Sequence, residues 1–433
     1  MSVYPRNLSA FLNRLSGYNK TNVKLNVLGS TKATDGDTVQ VDLPSNSIVD
    51  LSSLAWYIKL IYDDPTKAGK HMVAPIQAES LIKRLAVEVN GQTLVNIQNY
   101  NVLFHMLLYM SATEDYQRQR LINQANMYND SANGTAETIV AGATAGARTR
   151  YHVIDSWLGF LGTAKPQFID TSLLGNVRIT ITLAGSEIMG GDDADVVRGY
   201  SLDEQYFSMD VISISDGIYD AMVDQRLASG APIEIPFKNY FSFMGAGSGA
   251  TMTQKLAFNV ASQSIDRLWC TARKNDHGGI TAAISTSTGD EKVHSIVANN
   301  PAAFNFATCG GKHFQFQVNN ALYPNFLTDH PCKWFQLTKN ALGEQGNMLS
   351  GSFPENVTHY RDYFFAFAQS LEHKTDGDER FVSGIDTRGA SAQCYLNVDA
   401  GGPGTAVANE TLVFAECTSS LKVYANKVLE VVQ

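Results

Sequence analysis

The glycine-rich stretch Gly245–Gly249 (GAGSG) is a candidate for chemistry, because loops of this kind can cradle a phosphate group. A phosphate loop joins a strand to a helix, so that the N–H groups of the first helical turn face the anion. Here the following residues, TMTQKLAFNV, have a strand-like pattern, and no Lys-Ser or Lys-Thr pair stands in register. We therefore predict that this stretch is a hairpin loop.

Two acidic clusters could hold calcium, which takes several carboxylate oxygens as ligands. The clusters are Asp192, Asp193 and Asp195, and Asp376, Asp378 and Glu379. Neither has the spacing of an EF-hand loop, so both are predicted to be exposed turns rather than metal sites.

The remaining residue types that carry catalysis form no motif. The nine histidines are scattered without an HExxH or HxH pair, and His105 stands in an apolar segment, where we expect a hydrogen-bonded core residue. No Gly-x-Ser-x-Gly elbow is present to hold a serine nucleophile. Carboxylate pairs for glycoside hydrolysis meet only in space, so that chemistry stays open. We single out no catalytic, cofactor-binding or metal-binding residue and expect a protein that is not an enzyme.

Aromatic pairs could form a platform that stacks on sugars or nucleobases. They are Trp56-Tyr57, Trp334-Phe335 and Phe364-Phe365. Because each pair lies within an apolar strand-like or helical pattern, core packing is the favoured interpretation.

Composition limits the partners that the chain can have. The 433-residue chain has a formal net charge of −9, so no sequence-specific nucleic-acid binding is expected. Charged residues make up only 17%, against about 25% in ordinary proteins, which indicates that neighbouring chains cover part of the surface. No apolar run is long enough to span a membrane, and the N-terminus lacks a signal-peptide core. The five cysteines form no CxxC pair, so reduced thiols in a chain made inside a cell are expected.

Residues 1–32 form a basic segment that contains no acid. Leu8, Phe11, Leu12 and Leu15 recur at i, i+3, i+4 and i+7, as on one face of a short helix. One interpretation is an arm that docks on a neighbouring subunit, a minor protein or an anionic membrane. The other is a helix packed on its own domain. The candidate docking residues are Arg6, Phe11, Leu12, Arg14, Leu15 and Lys20.

The stretch Leu81–Met110 (LIKRLAVEVNGQTLVNIQNYNVLFHMLLYM) reads as strand, turn, strand and apolar helix. Asn90-Gly91 favours a type I′ hairpin, because both residues tolerate positive φ. The plan returns at Phe314–Tyr323, where a strand, the Asn319-Asn320 turn and a short strand precede a helix predicted from near Asp329. A related segment precedes each of these two stretches: SNSIVDLSSLAW (Ser45–Trp56) precedes the first, and the shorter SQSIDRLW (Ser262–Trp269) precedes the second. The chain is thus interpreted as two diverged copies of one unit in the same order.

Many short strand patterns with turn residues between them indicate an all-β protein of sandwich or jelly-roll type. The predicted division is a basic arm at 1–32, a first unit at 33–218, a connecting helix and linker at 219–232, and a second unit at 233–433. Two long polar segments, Met110–Tyr151 and Asn275–Ala303, are predicted to be excursions above the sheets.

In order along the chain, a basic arm is followed by VQVDLPSNSIVDLSSLAWYIKL, VEVNGQTLVNIQNYNVLF, LGFLGTAKPQFIDTSLLGNVRITITLAG and FQVNNALYPNFLTDH. This order and spacing resemble the double jelly-roll major capsid proteins of tailless icosahedral DNA viruses, most closely the Polinton-like virus and virophage group. The resemblance covers nearly the whole chain and rests on strand and turn patterns. It implies two tandem eight-stranded jelly rolls with short helices and long loops.

The resemblance also implies a function. Three chains would form a pseudo-hexameric capsomer that tiles an icosahedral shell around a DNA genome, with the long excursions outward and the basic arm inward. Expected partners are neighbouring capsomers, penton and minor capsid proteins and, in a particle that has one, an internal membrane; the location would be the virion, assembled inside the host cell. A jelly-roll pair also occurs in glycan-cleaving enzymes. A glycan-binding lectin or fibre protein and a jelly-roll hydrolase therefore remain as alternatives.

Overall fold

The computed structural model describes residues 18–62, 71–73, 75, 77–111, 139–140, 148–191, 199–214, 217–247, 254–275, 277, 302–343, 356–373, 384–389, 393–402 and 407–433. Both acidic clusters, most of the two long excursions and the candidate arm residues before Tyr18 lie outside this part of the chain.

The first half of the chain forms two antiparallel sheets, each built on four main strands, around one core. One sheet has the order β1-β13-β4-β10 and the other β3-β11-β6-β7. The strands are β1 (Tyr18–Asn26), β3 (Thr38–Asp42), β4 (Ile48–Tyr62), β6 (Ile82–Val89), β7 (Gln92–Gln98), β10 (Phe168–Asp170), β11 (Val177–Leu183) and β13 (Tyr200–Ile214). Minor strands extend them or form a small sheet: β2 (Ala33–Thr34), β5 (His71–Val73), β8 (Ile139–Val140), β9 (Arg148–Ile154) and β12 (Gly190–Gly191).

The second half repeats this arrangement. Its sheets have the orders β14-β21-β16-β19 and β15-β20-β17-β18, and β22 pairs with β21. The strands are β14 (Ile233–Gly247), β15 (Gln254–Phe258), β16 (Ile265–Lys274), β17 (Gly311–Val318), β18 (Ala321–Tyr323), β19 (Phe367–Ser370), β20 (Cys394–Ala400), β21 (Asn409–Tyr424) and β22 (Val428–Val432).

Helices in the described residues are short. The α-helices are α1 (Tyr100–Ser111), α2 (Phe160–Thr163), α3 (Thr171–Leu174), α4 (Gly217–Ala228), α5 (Pro331–Leu342) and α6 (Val357–Asp362). The 3₁₀ turns are Ala78–Leu81, Ser186–Ile188, Ala302–Phe304 and Ala425–Lys427. Among the described residues, no helix is long and apolar enough to cross a membrane.

The two halves share one topology. When the eight main strands of each half are counted in chain order, both halves have the strand order 1-8-3-6 in one sheet and 2-7-4-5 in the other. In both, a 12-residue helix, α1 or α5, stands between the fifth and sixth strands. This is the strand order of a jelly roll, so the predicted double jelly roll is confirmed.

The local signals that led to this prediction are visible in the backbone. Asn90 and Gly91 have φ of 47° and 81°, as a type I′ turn requires, and they join β6 to β7. Strand β11 alternates strictly between buried and half-buried residues, because one of its faces packs on the core. The helix predicted from Tyr219 is α4, which ends before Gly230, a residue with φ of 78°.

Several sequence-based expectations need correction. Gly245–Gly247 is not a hairpin loop: it is the end of β14, and β14 and β15 belong to different sheets. The apolar residues of the C-terminal sequence indicate two separate strands, near Leu412–Glu416 and Leu421–Val432, whereas the structure has one long strand, β21, followed by the short β22. The apolar stretch Tyr363–Ala368 indicates a strand from Tyr363, but β19 begins only at Phe367, because Tyr363 belongs to the turn that follows α6 and Phe364 forms an isolated bridge with Phe306.

The predicted arm overlaps the first sheet. From Tyr18 the chain is strand β1, which pairs with β13 from Ile214 to Tyr206, so Lys20 lies in the sheet. Its Nζ is 2.7 Å from Oδ2 of Asp210 and 3.5 Å from Oδ2 of Asp50. Of the candidate docking residues, Lys20 thus already has partners within its own jelly roll.

Candidate assembly site: the junction of the two jelly rolls

Helix α1 is the first element of the junction. Its apolar sequence buries nearly all of its residues, and it carries His105 against the second jelly roll. The His105 ring stacks on Phe304 with centroids 4.1 Å apart. Its Nδ1 lies 2.8 Å from the Asn101 carbonyl and its Nε2 3.1 Å from Oγ of Ser80. Because a carbonyl only accepts, Nδ1 carries the proton. The expectation of a hydrogen-bonded core histidine is confirmed.

Aromatic rings extend the contact along α1. Tyr109 meets Phe364 edge to face, with centroids 5.0 Å apart, and lies 5.8 Å from Phe306. Phe160 of α2 meets Phe237 of β14 in the same edge-to-face manner at 5.3 Å. Such pairs stabilise a contact by about 0.5–1.5 kcal/mol beyond the area they bury. The junction therefore joins the apolar cores of the two rolls into one continuous cluster.

The edge of strand β14 is covered by the first jelly roll. The Lys165 N–H donates to the Pro236 carbonyl at 3.0 Å, and the Lys238 N–H donates to Oγ1 of Thr163 at 2.9 Å. Since β14 is the outermost strand of its sheet, these bonds satisfy backbone groups that an open edge would offer to another chain.

A cluster of five charged side chains lies on the same sheet. Nζ of Lys238 is 2.7 Å from Oδ2 of Asp266 and 4.0 Å from Oε2 of Glu372. Arg267 contacts Glu372 at 2.9 Å and Glu416 at 3.5 Å. Their side chains are only 2–15% exposed. We call these five residues the buried charge cluster.

Neutral groups complete the cluster. The Trp269 Nε1–H donates to Glu416 at 3.1 Å, and the Thr418 hydroxyl donates to Asp266 at 2.6 Å. Two cations face three carboxylates, so the cluster carries one net negative charge when all are ionised. Such a surplus makes one carboxylate easier to protonate.

The pKa directions agree with this count. Burial raises the pKa of the Glu372 carboxyl, against the opposing effect of Arg267 and Lys238. Burial alone would lower the pKa of Lys238, but Glu416 and Asp266 hold it above its ordinary value. Burial likewise raises the pKa of the neighbouring Tyr240 phenol, which stays neutral. Burial thus disfavours the charged form of Glu372 within this cluster.

A second feature of the junction is an apolar groove with a cavity of about 480 Å³. It lies between the outer face of the first sheet, helix α4 and the start of β14. Apart from Asp170 and Tyr219, its lining is apolar; the lining includes Ile48, Phe168, Leu173, Ile214, Val223 and Ile235. Tyr219 donates to Oδ2 of Asp170 at 3.2 Å, and burial raises the pKa of Tyr219 to about 12. We call this feature the junction groove.

The other candidate residues fall in the cores. Trp56, Trp334, Phe364 and Phe365 are buried, whereas Tyr57 and Phe335 are half-buried. The aromatic pairs are thus mainly core residues, as predicted. All five cysteines are free thiols, of which only Cys332 is exposed. Within the described part of the chain, no group of His, Cys, Asp and Glu could hold a metal ion.

The sequence reasoning missed both the buried charge cluster and the junction groove. Lys238, Asp266, Arg267 and Glu416 are the charged members of otherwise apolar strand patterns, and that interruption is the signal that could have indicated pairing. The groove carries no local signal, because its walls come from segments separated by up to about 370 residues.

Comparison of the whole fold identifies the class of protein that shares it. No protein-family model matches the sequence, and no curated protein sequence is similar to it. PBCV-1 VP54 superposes with a TM-score of 0.64 at 14% identity, over 98% of each chain. The Faustovirus major capsid protein gives 0.59 at 10% identity, over 96% of this chain and 92% of that one. The mavirus major capsid protein gives 0.51 at 9% identity, over 99% and 93%.

These similarities extend over both jelly rolls and show a shared fold. The chain therefore has the double jelly-roll fold of viral major capsid proteins, as the resemblance in its sequence implied.

Proposed function

We propose that this chain is the major capsid protein of an icosahedral DNA virus. The observation that carries the proposal is the duplicated jelly roll, which spans the chain and superposes over 98% of its length on PBCV-1 VP54. Three copies, each with two equivalent rolls, present six similar walls. A threefold capsomer can then occupy a site with six neighbours, which is a physical reason for duplication within one chain.

The junction fits this role because packing and hydrogen bonds join the two rolls, through the aromatic contacts around α1 and the covered β14 edge. The buried charge cluster joins four separate segments within the second roll. A subunit that assembles into a closed shell must keep one shape while it forms several contacts. We assign the junction a structural, non-enzymatic role.

Exposed apolar residues mark a candidate subunit contact. Leu322, Phe326 and Leu327, at and after β18, are 40%, 54% and 58% exposed. The equivalent place in the first roll has no such segment, since α1 begins two residues after β7. Clustered exposed side chains of this size are typical of protein–protein contacts. We assign them to the contact between subunits of the trimer, which should bury on the order of 2,000 Å² or more.

The remaining assignments follow the same scheme. The divisions at 1–32, 33–218, 219–232 and 233–433 describe an arm, a roll, a linker and a roll, with strand β1 shared by the arm and the first sheet. The arm would lie on the inner side of the shell, and the partners of the assembled chain would be neighbouring capsomers, penton and minor capsid proteins, or a membrane. The long excursions would face outward. The protein would be located in the virion after assembly in the host cell.

Negative-stain microscopy of the purified protein tests the proposal against its alternatives. A capsid protein gives trimers with hexagonal outlines, or shells. A lectin-like or fibre protein gives monomers or dimers that bind glycans, and a hydrolase gives turnover that one carboxylate substitution abolishes. Monomers without shells at micromolar concentration would overturn the proposal.

A further inference from the structure

The junction groove has an open mouth with exposed apolar walls. Phe168 in β10 is 53% exposed and Ile214 at the end of β13 is 42% exposed, although both line the groove. Ile48 and Ile212, which pair across β4 and β13, form its floor on the outer face of the sheet. An apolar groove of this size needs a cover in water.

The described chain begins beside this groove. Tyr18, the first residue of β1, pairs with Ile214, so residues 1–17 join the sheet at the groove's edge. Only Ser16 and Gly17 separate Leu15 from Tyr18, so the Cα atoms of Leu15 and Tyr18 are at most about 11 Å apart. A tether this short gives the segment a local concentration in the millimolar range or above.

The sequence of this segment suits the groove. A helix over Leu8–Leu15 would be about 12 Å long and would carry its four large apolar side chains on one face. The groove crosses the sheet from Ile214 of β13 past Ile48 of β4 to Phe168 of β10, which is two strand spacings or about 10 Å. Arg6 and Arg14 bring positive charge, and the groove offers Asp170 with Asp220 next to Tyr219.

We propose that the N-terminal segment of the same chain covers the junction groove, with Phe11, Leu12 and Leu15 packed against Phe168, Ile214 and Val223. This contact ties the start of the chain to both jelly rolls, because the groove wall includes Ile233 and Ile235 of β14. This contact lies within one chain and does not depend on shell formation. The segment can lie elsewhere in a protein that forms shells, and it can cover the groove in a protein that forms none.

Disulfide trapping in the full-length protein tests this occupant. The variant carries Leu12→Cys and Phe168→Cys in a Cys332→Ser background, since Cys332 is the exposed native thiol. The control pairs Leu12→Cys with Met244→Cys. Met244 is 60% exposed but lies about 36 Å along β14 from Ile233, which is part of the groove wall. A second pair, Leu15→Cys with Val223→Cys, is used if the first lowers the urea midpoint of unfolding.

Under mild oxidation, the cysteines at positions 12 and 168 should form an intrachain disulfide at least tenfold faster than those of the control, at positions 12 and 244. The product is a single-chain band with altered mobility on a non-reducing gel. A disulfide between chains would show that a neighbouring copy supplies the segment and would overturn the proposal. A rate within twofold of the control would overturn it as well.

Discussion

Substitution of Lys238 by Met should strongly destabilise the second jelly roll. In the wild type, two cations face Asp266, Glu372 and Glu416, whereas Lys238→Met leaves Arg267 alone with three carboxylates. Met fills a similar volume, so packing changes little and the lost charge dominates. Removal of one partner from a buried ion pair costs about 3–5 kcal/mol, because the other charge stays buried without compensation.

The size of the effect can be measured by urea and thermal unfolding. For a unit of about 200 residues, 1 kcal/mol corresponds to roughly 2–4 °C, so Lys238→Met should lower the Tm of the second roll by about 6–20 °C. Glu372→Gln is the matched control, since it keeps the hydrogen-bond acceptor and brings the net charge of the cluster from −1 to zero. Because burial already disfavours the charge of Glu372, this substitution should lower the free energy of unfolding by less than Lys238→Met does.

The double variant Lys238→Met/Glu372→Gln tests the charge argument itself. Its cluster again has a net charge of −1, so it should be more stable than Lys238→Met alone by about 1–2 kcal/mol. Two results would refute the reasoning: a Lys238→Met variant within 1 kcal/mol of wild type, or a double variant no more stable than that single variant.

Three further predictions concern pH, assembly and the arm. The pKa of Glu372 is raised above 4.5 in the folded state, so protonated Glu372 stabilises the fold below pH 4.5, and this stabilisation is lost as the pH rises through the raised pKa. Glu372→Gln should remove this part of the pH dependence of urea unfolding. Phe326→Ser/Leu327→Ser should shift the trimer to monomers in sedimentation, whereas the equally exposed Met222→Ser should not. Deletion of residues 1–17, which spares β1 and the Lys20–Asp210 ion pair, should leave trimers intact and reduce shell yield in electron micrographs; normal shells would contradict the role of the arm.

Sequence patterns predicted the elements that have one buried face or a distinctive turn. The strict alternation of apolar and polar residues in VRITITL predicts strand β11, and Asn90-Gly91 predicts the β6–β7 hairpin, because these signals are local. The duplication was predictable for the same reason, since the strand–turn–strand–helix unit recurs near Phe314. Local pattern and tertiary structure agree at these places.

The sequence could not predict elements whose polar residues are paired only in three dimensions. The interior of β21 reads as a break, because Thr418, Ser419 and Ser420 are polar, yet all three are buried in one continuous strand. Strand β1 has mostly exposed, polar residues and is held by pairing with β13, so it looked like part of the arm. The same holds for the buried charge cluster, whose members come from four separate segments.

Light scattering coupled to size-exclusion chromatography measures how many copies of the chain associate in solution. We expect a particle of about 142 kDa at micromolar concentration, which is three copies of the 47.2 kDa chain. Its outline in negative stain should be hexagonal, with six similar lobes from three duplicated chains. A mass of about 47 kDa under these conditions, with a two-lobed outline, would contradict the claim that the paired jelly rolls serve to build a capsomer.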